Sequence, residues 1–214
     1  MIDLKITSKD LLLYAVTDRN CLRGISLEEA VEQAILGGVS IVQLREKNIS
    51  EDELIAEAKK LMDICHKHGV PFIINDDYEA AIKCGADGVH VGIEDAPVAE
   101  IRRVAGDDFI IGATAKTVEQ AKLAESSGAD YLGVGAVFPS PTKTNAVRIT
   151  PQQLSEICSS VNIPAVAIGG INAGNIHTIK GCGHKGAAVV SAVFGADDVK
   201  AAAEELRKAV LETL

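Results

Sequence analysis

The sequence predicts an α/β protein built as a single closed (β/α)8 TIM barrel spanning residues 1–214. Three observations carry that expectation. Apolar, β-branched segments recur about eight times, helical segments with recognisable caps separate them, and one kind of turn returns where a helix ends and a strand begins. The turn reads LGGVSIVQL, CGADGVHVG, SGADYLGVG and KGAAVVSAV. Glycine after the last helical turn fits a C-terminal cap, and the apolar run after it fits a strand buried on both faces. An open doubly wound sheet is the alternative, but the strand count reaches eight and no GxGxxG opens the first helix.

The strands expected from this rhythm are residues 11–18, 39–46, 70–76, 88–92, 109–115, 129–136, 163–170 and 187–193. Between the first two, Leu27, Ala30, Val31, Ala34 and Ile35 have helical spacing. Between the next two, so do Leu54, Ile55, Ala58, Leu61, Met62 and Cys65. Helix starts are marked by Ser26 with Glu29, Ser50 with Glu53, and Thr150 with Pro151 and Gln153, each a hydroxyl followed three residues later by Glu or Gln.

Composition narrows the function. A chain of 214 residues with 47% hydrophobic content can bury a sizeable core, and one domain is the expected organisation. A net charge of -9 argues against nucleic acid and anionic membrane as partners, because both need a concentrated basic face. Aromatic content of 3% without Trp leaves little for base stacking. No apolar run approaches the roughly 20 residues of a membrane helix. The five cysteines form no CxxC pair and the first residues lack a signal-peptide pattern, so a reduced, cytoplasmic location and small-molecule substrates are expected. The sequence is compatible with a homo-oligomer.

In such a barrel the chemistry lies at the C-terminal ends of the strands, and the polar residues fall there. After strand two, alternation sends Gln43, Arg45 and Lys47 to one side, a set of donors suited to a polyanion. The plainer alternative is a charged strand end paired with helices. Strand three ends in Asn75-Asp76-Asp77, and Glu94-Asp95 follows strand four. Two converging acids beside a basic cluster suit Mg²⁺, a hard cation that keeps water and borrows substrate phosphate oxygens, although Asp77 and Asp95 also sit where helix caps are expected. Thr114 and Lys116 follow strand five, with Thr117 reading as a cap. Gly169-Gly170, ending strand seven, and Val190-Ser191, offered by strand eight, read as a phosphate site on backbone N–H groups. The stretch FPSPTKT after strand six supplies Ser140, Thr142 and Lys143 on a backbone stiffened by Pro139 and Pro141. Together these predict two anion sites, one for a phosphate and a larger one for a diphosphate. His90, within strand four, reads as a structural residue of the interior, and no histidine has zinc spacing with a cysteine.

These segments resemble the thiamine phosphate synthase family over nearly the whole chain. The carriers are VQLREK at 42–47, INDD at 74–77, DGVHVGIED at 87–95, GVGAVFPSPTKT at 133–144, AIGGI at 167–171 and VVSAV at 189–193. The resemblance implies a magnesium-dependent transferase that joins 4-amino-2-methyl-5-hydroxymethylpyrimidine diphosphate to hydroxyethylthiazole phosphate, giving thiamine phosphate and pyrophosphate. It implies that Gln43, Leu44, Arg45, Glu46, Lys47, Asn75, Thr114 and Lys143 contact the pyrimidine diphosphate, with Arg45, Lys47 and Lys143 stabilising the leaving group. It places Asp76 and Asp95 on Mg²⁺. Ser140, Pro141 and Thr142 would meet the thiazole phosphate, with Gly170, Val190 and Ser191 closing on its phosphate. The chain departs from the family pattern at Ile93, where Gln is usual, and at Thr114, Lys116, Ala136 and Ser140; Thr114 and Ser140 keep a hydroxyl. The rivals are a thiazole phosphate tautomerase of the same barrel type, which needs neither diphosphate grip nor metal, and a non-catalytic phosphate-ligand sensor. A sugar-phosphate isomerase would want a paired acid and base that these strand ends lack.

Overall fold

The structure, a computed structural model, describes residues 6–139 and 147–214. Eight parallel strands close into a barrel in chain order: β1 (Leu13–Val16), β2 (Ile41–Leu44), β3 (Phe72–Asn75), β4 (Gly88–Val91), β5 (Ile110–Ala115), β6 (Tyr131–Gly135), β7 (Ala165–Ile168) and β8 (Ala187–Val189), with β8 paired back to β1. The helices α1 (Leu27–Leu36), α2 (Glu51–Lys67), α3 (Tyr78–Cys84), α4 (Val98–Ala105), α5 (Val118–Ser126) and α6 (Pro151–Ser159) each follow a strand. After β7 the crossover is only a 3-10 turn, Ile176–Ile179, and after β8 a short helix α7 (Ser191–Phe194) precedes α8 (Val199–Leu211). No helix among the described residues is long and apolar enough to cross a membrane.

All eight expected strands are present, but they are shorter than their apolar segments. The last differs most at its C-terminal end. It was expected to run to Val193, yet β8 stops at Val189, and Val190, with φ -121° and ψ -90°, turns the chain into α7. The amides of Val193 and Phe194 bond the Val190 carbonyl. Val193 and Phe194 are fully buried, so the apolar signal was real, but it came from a helical turn packed into the core.

Strand alternation sorts side chains into two cores. Tyr14, Val16, Ile41, Ile73, Tyr131 and Val166 are among those filling the barrel interior, while Leu13, Val42, Leu44, Phe72, Leu132 and Val134 pack outward against helical residues such as Leu27, Leu61 and Leu154. Each fully buried Leu or Phe contributes about 1.5–3 kcal/mol by leaving water. The caps follow the sequence closely. Ser50 with Glu53 and Thr150 with Gln153 form reciprocal capping boxes, whereas Ser26 makes only the forward bond, because Glu29 accepts instead from Gln33 at 3.2 Å.

The recurring turn has a structural cause at the N-terminal end of the barrel. In three of its copies the residue just before the strand is polar and accepts an amide from the start of the preceding strand. Ser40 Oγ takes Leu13 N–H at 3.0 Å, Asp87 Oδ2 takes Phe72 N–H at 2.8 Å, and Asp130 Oδ2 takes Ile111 N–H at 2.7 Å. The glycines at the turns, Gly38, Gly85 and Gly128, have φ of 100°, 81° and 98°, the left-handed region that other residues avoid. Each turn thus ends a helix and pins the barrel ladder where it begins. Replacing Asp87 by Ala would strand the Phe72 amide and remove the partner of His66, which lies 2.9 Å away. A loss of about 1–3 kcal/mol in urea-induced unfolding is expected, with the activity of the folded fraction retained.

Candidate functional site

The C-terminal ends of the strands form the mouth of the barrel, and a polar chain leads up to it through the interior. Gln43 is buried and donates from Nε2 to the Tyr14 hydroxyl at 2.6 Å. Tyr14 and Tyr131 share a hydrogen bond of 2.7 Å across the barrel. The Tyr131 hydroxyl meets His90 Nδ1 at 3.2 Å, and His90 Nε2 meets the Thr114 hydroxyl at 3.1 Å. Burial raises the pKa of both phenols and lowers that of His90 to about 4, so at neutral pH the chain is uncharged. The interior has room for it because β5 and β6 point glycine inward. A Cβ on Gly112 would lie 2.1 Å from the Tyr131 ring, and one on Gly133 would lie 2.9 Å from the His90 ring.

The basic strap follows β2. The amide of Arg45 donates to the buried Thr17 hydroxyl at 2.9 Å, which fixes the backbone as it leaves the strand. Arg45 is close enough to Asp76 to lower that residue's pKa, and Lys47 is exposed. Leu44 and Glu46 lie on the other side, as alternation predicts. Leu44 is fully buried in the outer core, so its side chain is turned away from the mouth, and Glu46 is paired with Arg19 at 2.8 Å.

The two expected metal ligands come together. Asp76 sits just past β3 with φ +63°, an uncommon conformation for a residue with a side chain, held by its amide donating to the His90 carbonyl at 2.8 Å. Asp95 is placed by its Oδ2 accepting the Gly92 amide at 2.7 Å, and a Cβ on Gly92 would stand 2.8 Å from that oxygen. Desolvation first, and then the neighbouring Asp95 carboxylate, push the Asp76 pKa up to about 6, while Asn75 and Arg45 act in the opposite direction. Asp77 is a cap, accepting the Ala80 amide at 2.8 Å. Among the described residues no cluster of three or more His, Cys, Asp or Glu is arranged as a metal cage. A pair of carboxylates held together with only part of their repulsion offset by Asn75 and Arg45 fits a hard divalent cation that completes its shell with water and phosphate oxygens.

On the opposite rim, Gly169 and Gly170 have φ of 103° and 62°. A Cβ on Gly170 would lie 2.1 Å from the Pro139 carbonyl, and the amides of Val137 and Phe138 bond Ile168 and Gly169. The Gly-Gly step therefore lets the segment after β6 run against the end of β7. Val190 and Ser191 open α7, whose first amides have no acceptor within the helix. The predicted residues Ser140, Pro141, Thr142 and Lys143 lie outside the described residues.

Sequence reasoning did not single out Tyr14, Tyr131, Thr17 or Arg19. A signal existed for the first two: each is a Tyr in an otherwise apolar strand, and a buried phenol needs a polar partner. A cavity of about 1080 Å³ lies at the other, N-terminal end of the barrel, lined by Lys9, Cys158, Cys182 and Lys185 among others. It holds none of the predicted site residues, and the convergence of acids, cations and glycines at the mouth identifies the candidate site on chemical grounds.

The chain matches the family model described as thiamine monophosphate synthase over residues 13–193. It is 47% identical to a thiamine-phosphate synthase of Clostridium tetani, over 92% of this chain and 94% of that one. It is also 47% identical to the thiamine biosynthetic bifunctional enzyme TH1, chloroplastic, of Arabidopsis thaliana, covering 95% of this chain and 40% of that longer protein. Among solved structures, a thiamine phosphate pyrophosphorylase from Pyrococcus furiosus superposes with a TM-score of 0.89 at 40% identity, covering 97% of this chain and 98% of that one.

The carboxylate pair makes a prediction about stability. The folded Asp76 titrates near 6 and an unfolded aspartate near 3.8, so its ionisation opposes folding above about pH 6 and has no effect below about pH 4. Asp76→Asn, which the left-handed backbone accommodates, is expected to stabilise the protein in chelator at about pH 8 and not at about pH 4. Because the side chain is solvent-accessible, the gain is no more than about 1 kcal/mol. Urea unfolding at both pH values checks it, and an equal effect at both would mean that the folded environment does not raise the Asp76 pKa.

Proposed function

The chain belongs to the thiamine monophosphate synthase family, a family of transferases, and from that premise we propose that it condenses 4-amino-2-methyl-5-hydroxymethylpyrimidine diphosphate with hydroxyethylthiazole phosphate. The observation that supports this most is the pairing of Asp76 and Asp95 beside Arg45, at the same mouth as the Gly169-Gly170 and Val190-Ser191 turns. A tautomerase or a simple phosphate sensor has no use for that acid pair.

In the reaction, the bond between the pyrimidine methylene carbon and the diphosphate oxygen breaks, and its electron pair leaves with pyrophosphate. The thiazole nitrogen then donates its lone pair to the methylene carbon. No proton is exchanged, so no residue has to act as a general base, and the demand on the protein is to stabilise leaving-group charge. Arg45 and Lys47, with Lys143 from the segment after β6, meet that demand electrostatically. Asp76 and Asp95 would hold Mg²⁺, which when bound supplies Lewis-acid stabilisation of the leaving diphosphate. Gln43, its amide oriented by Tyr14, presents its remaining hydrogen-bonding groups toward the mouth, where the heterocycle would lie. The Gly170 turn and the amides opening α7 would take the thiazole phosphate.

The test is a coupling assay with both substrates, in Mg²⁺ or in excess chelator, detecting thiamine phosphate and released pyrophosphate. Product is expected with metal and not with chelator. Asp95→Asn is expected to lower kcat/KM by about 100-fold or more. Undiminished coupling in chelator would overturn the role of the carboxylates. Binding of thiazole phosphate without any coupling would favour the tautomerase or the sensor.

A further inference from the structure

The strap that carries Arg45 and Lys47 has a negative charge in its middle. Glu46 lies between two cations intended for a polyanion, and a carboxylate free to swing toward the mouth would pair with them or repel the ligand. The structure shows what restrains it. After β1 the chain makes a one-turn 3-10 helix, Arg19–Cys21, capped by Asp18, whose Oδ1 accepts the Asn20 amide at 3.1 Å. That turn presents Arg19 outward, where Nε donates to Glu46 Oε1 at 2.8 Å and Nη2 donates to Glu57 Oε1 of α2 at 2.7 Å. The side chains of Glu46 and Glu57 are only 10% and 15% exposed, so both charges are largely out of water and depend on a cation. Lys60 lies 3.6 Å from the other oxygen of Glu57 and supports that partner, leaving Arg19 as the fork that joins it to Glu46. Two residues earlier, Thr17 takes the Arg45 amide. The β1 loop therefore grips consecutive strap residues, 45 through its backbone and 46 through its side chain.

We propose that Arg19 is a positioning residue for the diphosphate site: by tying Glu46 to α2 it keeps a carboxylate out of the mouth and aims Arg45 and Lys47 at the ligand. The ligand class is a pyrophosphate or diphosphate ester. The proposal rests on Gln43, Arg45 and Lys47 being the diphosphate grip, and its test uses a probe that does not require turnover.

Calorimetric titration with inorganic pyrophosphate in Mg²⁺ compares the wild type with Arg19→Ala, Arg19→Lys, and Arg19→Ala combined with either Glu46→Gln or Glu57→Gln. Steady-state constants for both substrates accompany it. Arg19→Ala is expected to weaken pyrophosphate binding and raise KM for the pyrimidine diphosphate by roughly tenfold, with KM for the thiazole phosphate held within about twofold. Adding Glu46→Gln is expected to restore most of the affinity, because the unpaired charge is gone. Adding Glu57→Gln is expected to raise the melting temperature without restoring affinity. Arg19→Lys keeps a cation on a folded chain and is expected to fall between wild type and Arg19→Ala. Unchanged pyrophosphate affinity in Arg19→Ala, equal loss toward both substrates, or equal rescue by the two glutamine variants would each overturn the proposal. If the wild type binds pyrophosphate but forms no thiamine phosphate, the synthase reading falls and the role of Arg19 is still decided by the binding data. If the wild type binds no pyrophosphate, the role of Arg19 falls too.

Discussion

The hydrogen bond between Tyr14 and Tyr131 sets the terms for the rest of the interior. An eight-stranded barrel has space for side chains and little else, so two phenols and an imidazole at its centre must be matched by missing atoms elsewhere. Gly112 and Gly133 supply that space on adjacent strands. Each phenol, once buried, needs a partner, because an unpaired buried hydroxyl costs about 1–3 kcal/mol. The partners are found in a line from Gln43 through Tyr14, Tyr131 and His90 to Thr114. Gln43 and Thr114 lie toward the C-terminal ends of β2 and β5, so a packing solution for the core also orients two of the candidate site residues.

A net charge of -9 is compatible with the proposed diphosphate site, because the field that matters is local. At the mouth the charges are sorted by which loop carries them. Cations follow β2, and carboxylates follow β3 and β4, held by left-handed backbone at Asp76 and by the Gly92 amide at Asp95. Glu46 is the exception in the cationic loop, and it is tied outward by Arg19. The acid pair is the costly part of this arrangement, since neither carboxylate relieves the other. The proposed binding of Mg²⁺ between them would relieve that cost.

The barrel was legible because its determinants repeat. Eight apolar segments, capping boxes at Ser50 and Thr150, and the glycine turns before β4 and β6 each report a local rule, and the rules agree. The end of β8 was not legible: Val189-Val190-Ser191-Ala192-Val193 reads equally as a buried strand or as a strand followed by a buried helical turn, and only the packing of Val193 and Phe194 decides. In the site, period-two alternation correctly separated Gln43 and Arg45 from Leu44 and Glu46. It gave no hint of the contacts Tyr14 to Tyr131 or Arg19 to Glu46, which join residues 117 and 27 positions apart. Such pairs follow from closure and from the docking of α2, neither of which is written in a local pattern.

The two ends of the barrel divide the work, and the division explains why one was easier to read than the other. At the N-terminal end the same task recurs at every pinned strand: stop a helix, turn through a glycine, and accept the first amide of the neighbour. Ser40, Asp87 and Asp130 perform it with one geometry, so the sequence carries a rhythm. At the C-terminal end each loop has a different task, donating cations, converging acids or exposing amides, and nothing repeats. Stability in a barrel is shared among equivalent positions, while the proposed reaction, with two unlike substrates, would need every loop to be distinct. Wherever the rhythm holds, the residue is there for the fold; polar residues at a strand's end, as at Arg45 and Asp76, stand outside it.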